Sequence, residues 1–144
     1  MRIALVAGEA SGDALGAALI EALRRKFPDA KFAGVAGPKM TAAGCTAWFR
    51  SEELGVMGIT EVLRHLPRIQ RLRSTLQQRI LEWRPDVFIG VDFKEFNLGL
   101  ARRLKKRGLR TVQYVSPQVW AWRQGRARTI GEAVDLILCL FPFE

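Results

Sequence analysis

Histidine is nearly absent from this chain of 144 residues: His65 stands alone, so a metal centre built on several imidazoles is excluded. Cysteine is almost as scarce, with Cys45 and Cys139 far apart in unrelated contexts. Two such residues make neither a disulfide framework nor a metal knot, and a reducing compartment is expected. No apolar run approaches the roughly 18 residues that a membrane span requires. The first strand candidate begins at Ile3 with no basic region, apolar stretch and cleavage site before it, so no signal peptide is expected. A Walker loop and a Ser/His/Asp elbow are both missing, and hydrolase and nucleoside triphosphatase readings lose their support. Acidic residues are the minority, 14 against 23 Lys and Arg, for a net charge of +9. That balance favours an anionic partner, whether nucleic acid, a phosphorylated metabolite or an acidic membrane surface, without choosing among them.

What is present has the composition of one ordinary folded domain, 49% hydrophobic and 26% charged. Short apolar runs alternate with helical patterns. RIALVA reads as a strand, then GEASGD, then ALGAALIEALRRKF as a helix that ends in basic residues before Pro28. KFAGVA is a second strand, closed by GPKM. A long helical zone, EVLRHLPRIQRLRSTLQQRILEW, is broken or started afresh at Pro67. DVFIGV, RTVQYV and DLILCLF read as further strands, with the helix LGLARRLKKRG between the first two of them. Continuous apolar strands separated by helices predict a Rossmann-like parallel sheet with helices on both faces, and ligands bound beyond the carboxyl ends of the strands. The chain stops at LCLFPFE with no helix after its last apolar run, so a further domain is expected beyond it.

The candidate sites fall at those strand ends. In GEASGD, Gly8 and Gly12 permit a tight turn, and Ser11 or Asp13 is placed to cap the helix. The loop lacks GxGxxG spacing, and Glu9 and Asp13 would repel a pyrophosphate, so a hydroxyl-bearing ligand suits it better; a capping turn without ligand explains it too. GVMGITEVL carries Met57 in an apolar loop that either bends over an acyl chain or plugs the sheet. DFKEFN follows a buried strand, where partial burial raises a carboxyl toward a useful base. Asp92 is therefore the candidate proton acceptor, with a helix cap as its plainer role, and Asn97 offers both donor and acceptor to a polar ligand. Trp120 and Trp122 precede Arg123, Arg126 and Arg128, a pairing that fits a phosphate joined to an apolar portion; packing against the core is the alternative. Arg64, Arg68, Arg71, Arg73 and Arg79 form an amphipathic stretch suited to anionic lipid, and Arg102 to Arg107 crowd a helix end; solvated faces also account for both.

The strings AGEASGD, VAGPKM, GVMGITEVL, YVSPQVWAWR and FPFE, in this order over nearly the whole chain, resemble the amino-terminal half of the bacterial lipid-A-disaccharide synthase family. That resemblance implies the amino-terminal domain of a GT-B glycosyltransferase: residues 1–144 as an incomplete acceptor-side domain, with the carboxyl-terminal domain that binds the UDP donor absent, and the fragment inactive alone. It implies transfer of diacylated glucosamine from UDP to diacylglucosamine 1-phosphate with inversion, by a cytoplasmic enzyme held peripherally at the inner membrane. No cofactor or metal is expected, the UDP-linked sugar being a substrate. The family's proposed catalytic aspartate opens a D-x-P-D-F-N string, which places that role on Asp92. Phe96 and Asn97 match its tail, while Lys94 and Glu95 replace its proline and second acid. Glu9, Ser11 and Asp13, Met57, and Trp120 to Arg123 match parts that face the acceptor. A homodimer of the full-length protein is left open. The rivals are another UDP-sugar transferase with a lipid-linked acceptor, a silent paralogue that keeps the fold, and a basic nucleic-acid-binding domain. The last is opposed by the acids at the strand-end face, so no nucleic-acid partner is expected.

Overall fold

The computed structural model of the chain describes residues 1–8, 10–50, 66–91, 94–114 and 136–138, with backbone alone at 10, 11, 66–69, 94, 95 and 136–138. Its strands are β1 (Arg2–Ala7), β2 (Lys31–Ala36), β3 (Cys45–Arg50), β4 (Val87–Val91), β5 (Arg110–Tyr114) and β6 (Leu136–Leu138). The helices are α1 (Ala10–Lys26), α2 (Pro38–Ala43), α3 (Leu66–Trp83) and α4 (Lys94–Lys106). All described strand pairs are parallel, in one sheet of order β3-β2-β1-β4-β5-β6. The Rossmann-like fold expected from the alternation is the one observed.

β1 shows why its sequence is apolar throughout. Its side chains alternate between the two faces, and both faces are covered. Ile3, Leu5 and Ala7 pack with Ala17 and Ile20 of α1 and Met40 and Ala43 of α2. Ala4 and Val6 pack with Leu76 and Ile80 of α3 and Phe96, Leu100 and Leu104 of α4. The spacing of those residues, three apart in α1 and α2 and four apart in α3 and α4, gives each helix the single apolar stripe that a sheet face accepts. Pro67 lies in the first turn of α3, where its missing N–H is tolerated.

Three features differ from the sequence reading. GPKM does more than close β2: it enters the six-residue helix α2, with Pro38 at its start. CTAWFR forms the edge strand β3, whose outward residues are largely exposed. α4 begins at Lys94 rather than near Leu98, because Phe96 and Asn97 are already buried in its first turns. At the lower end of the sheet, Arg2 N donates to Asp86 Oδ2 at 2.8 Å, and Asp86 N returns a bond to Arg2 O at 2.8 Å. Arg2 Nη1 also donates to Trp83 O at 2.7 Å. Trp83 meets Trp48 of β3 edge-on at 5.4 Å, and Arg79 lies 5.1 Å over Trp48, so the edge strand is fastened to α3 by an edge-to-face ring pair and a guanidinium.

Candidate functional site

The strand order reverses direction between β1 and β4, which places a crevice outside their carboxyl ends. α1 leaves β1 and α4 leaves β4 on opposite faces of the sheet, so two helix N-termini flank that crevice. Gly8 is buried at its floor. β4 ends at Val91 beside this switch point, and DFKEFN follows it in the sequence.

Asp13 is in the first turn of α1 and only 4% exposed. α1 begins at Ala10, so neither Ser11 nor Asp13 caps it, and that expectation is corrected. The Asp13 carboxylate instead serves the next helix. Its Oδ1 accepts from Gly37 N at 3.1 Å and Met40 N at 2.9 Å, and its Oδ2 accepts from Lys39 N at 2.9 Å. These are the open amides at the start of α2, which has no side-chain cap from its own Gly37. A Cβ on Gly37 would stand 2.5 Å from the carboxylate carbon, so glycine there is what lets the two loops touch. The acid that the sequence places against a ligand spends its oxygens on joining the β1–α1 and β2–α2 connections.

Asn97, in α4, is fully buried. Its Nδ2 donates to Val6 O at 3.1 Å and to Val91 O at 3.4 Å, so both amide hydrogens go to the ends of the two strands that border the crevice. Gly90 makes room for this contact, since a Cβ there would lie 2.8 Å from Asn97 Cβ and 2.6 Å from Gln113 Oε1. Sequence reasoning did not single out Gly37 or Gly90 as counterparts of these side chains. The signal available was their position, one after β2 and the other near the end of β4.

Cys45 is buried, and its thiol is pushed up to about 12 by that burial, with the charge of Asp13 adding to the effect. It is a free thiol that this shift keeps protonated at neutral pH. Among the described residues no three His, Cys, Asp or Glu side chains converge, and no helix is long and apolar enough to cross a membrane. Glu9, Met57, His65, Asp92, Trp120, Trp122 and Arg123 lie outside the described residues, as does the side chain of Ser11. Of the arginines expected on one basic surface, Arg71 is exposed, Arg79 is stacked on Trp48, and Arg73 is half-buried over Gly99. Burial, together with the nearby charge of Arg103, lowers the Arg73 pKa. A groove of about 690 Å³ lined by Ser74, Gln77, Gln78, Leu81, Glu82, Arg84 and Arg107 opens between the end of α3 and the turn after α4, at the opposite end of the sheet from the crevice.

A family profile described as Lipid-A-disaccharide synthetase matches residues 3–144. The chain is 64% identical over 143 residues to a lipid-A-disaccharide synthase of Xanthomonas campestris pv. campestris, covering 99% of this chain and 33% of that protein. It is 58% identical over 143 residues to the synthase of Xylella fastidiosa, with 99% and 37% covered. With the synthase of Pectobacterium carotovorum it shares 57% identity over 144 residues, with 100% and 38% covered. The chain thus spans about a third of the length of the curated relatives it matches.

Proposed function

Because the chain belongs to the lipid-A-disaccharide synthase family, we propose that it is the amino-terminal, acceptor-side part of an inverting glycosyltransferase whose donor domain lies beyond Glu144. The reaction is transfer of diacylated glucosamine from UDP to diacylglucosamine 1-phosphate. The observation that carries the reading is the strand order: DFKEFN leaves β4 at the switch point, where a parallel α/β sheet binds its ligands. Asp92 takes the proton of the acceptor hydroxyl as that oxygen attacks the anomeric carbon from the face opposite UDP. One carboxylate is the base an inverting displacement needs. UDP departs with the donor bond's electrons, its charge met by cations and helix N-termini, most of them in the carboxyl-terminal domain.

Glu9 and Ser11 line the acceptor side, with hydroxyls of the sugar as their natural partners, and Met57, Trp120, Trp122 and Arg123 form the apolar, phosphate-adjacent surface for its acyl chains. Asp13 and Asn97 hold the connection after β1, on which Glu9 and Ser11 stand, and Asn97 also holds the end of β4 next to Asp92, a reading supported by their burial and their bonds to backbone. The protein works in the cytoplasm against the anionic inner membrane. Supporting that are exposed cations on the two helices that cover one side of the sheet: Arg71 of α3, Arg102, Arg103 and Lys106 of α4, and Arg107 in the turn after it.

The test is the complete gene product incubated with UDP-diacylglucosamine and diacylglucosamine 1-phosphate, with disaccharide and UDP read by mass spectrometry. Both products are expected, and Asp92→Asn is expected to fold normally and lose most turnover. An Asp92→Asn protein with ordinary kcat refutes the base assignment. A folded full-length protein that makes no disaccharide moves the reading to another lipid-linked acceptor or to a silent paralogue.

A further inference from the structure

We propose that Asn97 is a positioning residue: its amide clamps the two strand ends from which the acceptor loop and the catalytic-base loop depart. The proposal rests on the transferase reading above. β1 and β4 are neighbours, paired as Val6 with Gly90 and Ala7 with Val91 at the last rungs of their ladder. Past those rungs the chain turns into α1 on one face and α4 on the other, and ladder bonds no longer fix one segment against the other. Asn97 supplies that constraint from inside α4. One NH2 group donates to Val6 O, two residues before Gly8, and to Val91 O, the neighbour of Asp92 in the chain.

The chemistry of the contact selects an amide. Two carbonyl oxygens converge on one point, so the side chain between them must offer two hydrogens and no charge, which asparagine does and aspartate of the same shape does not. The site is also built to its size, because Gly90 leaves no Cβ where Asn97 packs. An NH2 group already committed to two backbone carbonyls has no hydrogen left for a sugar. Its influence on turnover therefore runs through the backbone of the segments it joins. Displacement of a reacting group by about 1 Å lowers rates by about 100-fold, so loosening the clamp acts on kcat more than on binding.

The experiment compares full-length wild type with Asn97→Leu, which keeps the branched outline in a somewhat larger side chain and removes both donors, and with Asn97→Ala. Leu100→Ala is the reference for simple loss of packing, since Leu100 is buried one turn further along α4 in the same apolar cluster as Val6 and has no polar atom with which to bond either strand end. Two readouts are taken: steady-state kinetics, and amide hydrogen exchange over residues 7–12 and 91–95. Both Asn97 variants are expected to lose on the order of 10–100-fold in kcat, with donor KM within about twofold and faster exchange in both segments. Leu100→Ala is expected to lower the unfolding temperature at least as much while leaving kcat and the exchange of those segments near wild type. Unchanged exchange in either segment of Asn97→Leu, or a kcat loss no larger than that of Leu100→Ala, overturns the clamp. Faster exchange in a protein whose wild type makes no disaccharide keeps the clamp and overturns the transferase reading instead.

Discussion

Replacing Asp13 separates a structural carboxylate from a substrate-binding one. In Asp13→Ala the amides of Gly37, Lys39 and Met40 all lose their acceptor. The bonds to Gly37 and Met40 are buried, and a buried donor left unpaired costs roughly 1–3 kcal/mol. Lys39 N is only partly buried, and water replaces most of its bond. The sum is about 2–6 kcal/mol, a large share of the roughly 5–15 kcal/mol that holds a domain folded. Asp13→Asn behaves differently, because the two buried amides share one oxygen, Oδ1, which an asparagine carbonyl reproduces. Only the Lys39 bond and the charge are lost, for about 1–2 kcal/mol. Urea denaturation of the full-length protein, read together with hydrogen exchange at residues 37–40, gives both values. Equal losses for Asn and Ala refute the oxygen-by-oxygen account. Unmoved midpoints with a raised acceptor KM would return Asp13 to the ligand-facing role that the sequence suggested.

Three further outcomes are expected. Cys45, with its thiol pushed up from 9.0 to about 12 by burial, stays unlabelled by iodoacetamide at pH 8 in the folded protein and reacts once urea exposes it, as peptide mass mapping will register. The native state holds the proton longer than the unfolded chain does, so the contribution of this group to stability is complete below 9.0 and is lost as pH rises toward about 12; Cys45→Ala should flatten that alkaline decline. Neutralising Arg64, Arg68 and Arg71 together weakens binding of the full-length protein to anionic vesicles by about fivefold per residue, from roughly 1 kcal/mol for each cation near such a surface; unchanged partitioning in a sedimentation assay assigns them to a solvated face.

The buried strands were legible because burial on two sides removes polar alternation: RIALVA, KFAGVA and DVFIGV admit little else. CTAWFR was not, since an edge strand mixes Thr46 and Arg50 toward solvent with Trp48 toward α3. α2 was missed for a different reason. A helix of six residues has little intrinsic stability, and its amides are satisfied by Asp13, 24 residues earlier than Gly37. The start of α4 was hidden by Lys94 and Glu95, although Phe96, Leu100 and Leu104 already carried its four-residue period. At the site, residue type and strand-end position drew attention to Asp13 and Asn97, both of which are buried and bonded to backbone. What they do depended on partners far away in sequence, 24 residues for Asp13 and 91 for the longest contact of Asn97, and no local pattern encodes those.

The central place of β1 has a consequence during synthesis. One edge of this strand is matched by β2, finished at Ala36, while its other edge waits for β4, which starts at Val87. At roughly 5–20 residues per second, a ribosome leaves that second edge open for about 3–10 s. During this interval the growing chain carries an unpaired apolar template, the kind of surface that recruits other nascent chains. The arrival of Val87–Val91 closes it, and the Arg2–Asp86 exchange of bonds at its lower end is the first long-range fastening within reach. The same strand that floors the ligand crevice is thus the one whose completion is slowest.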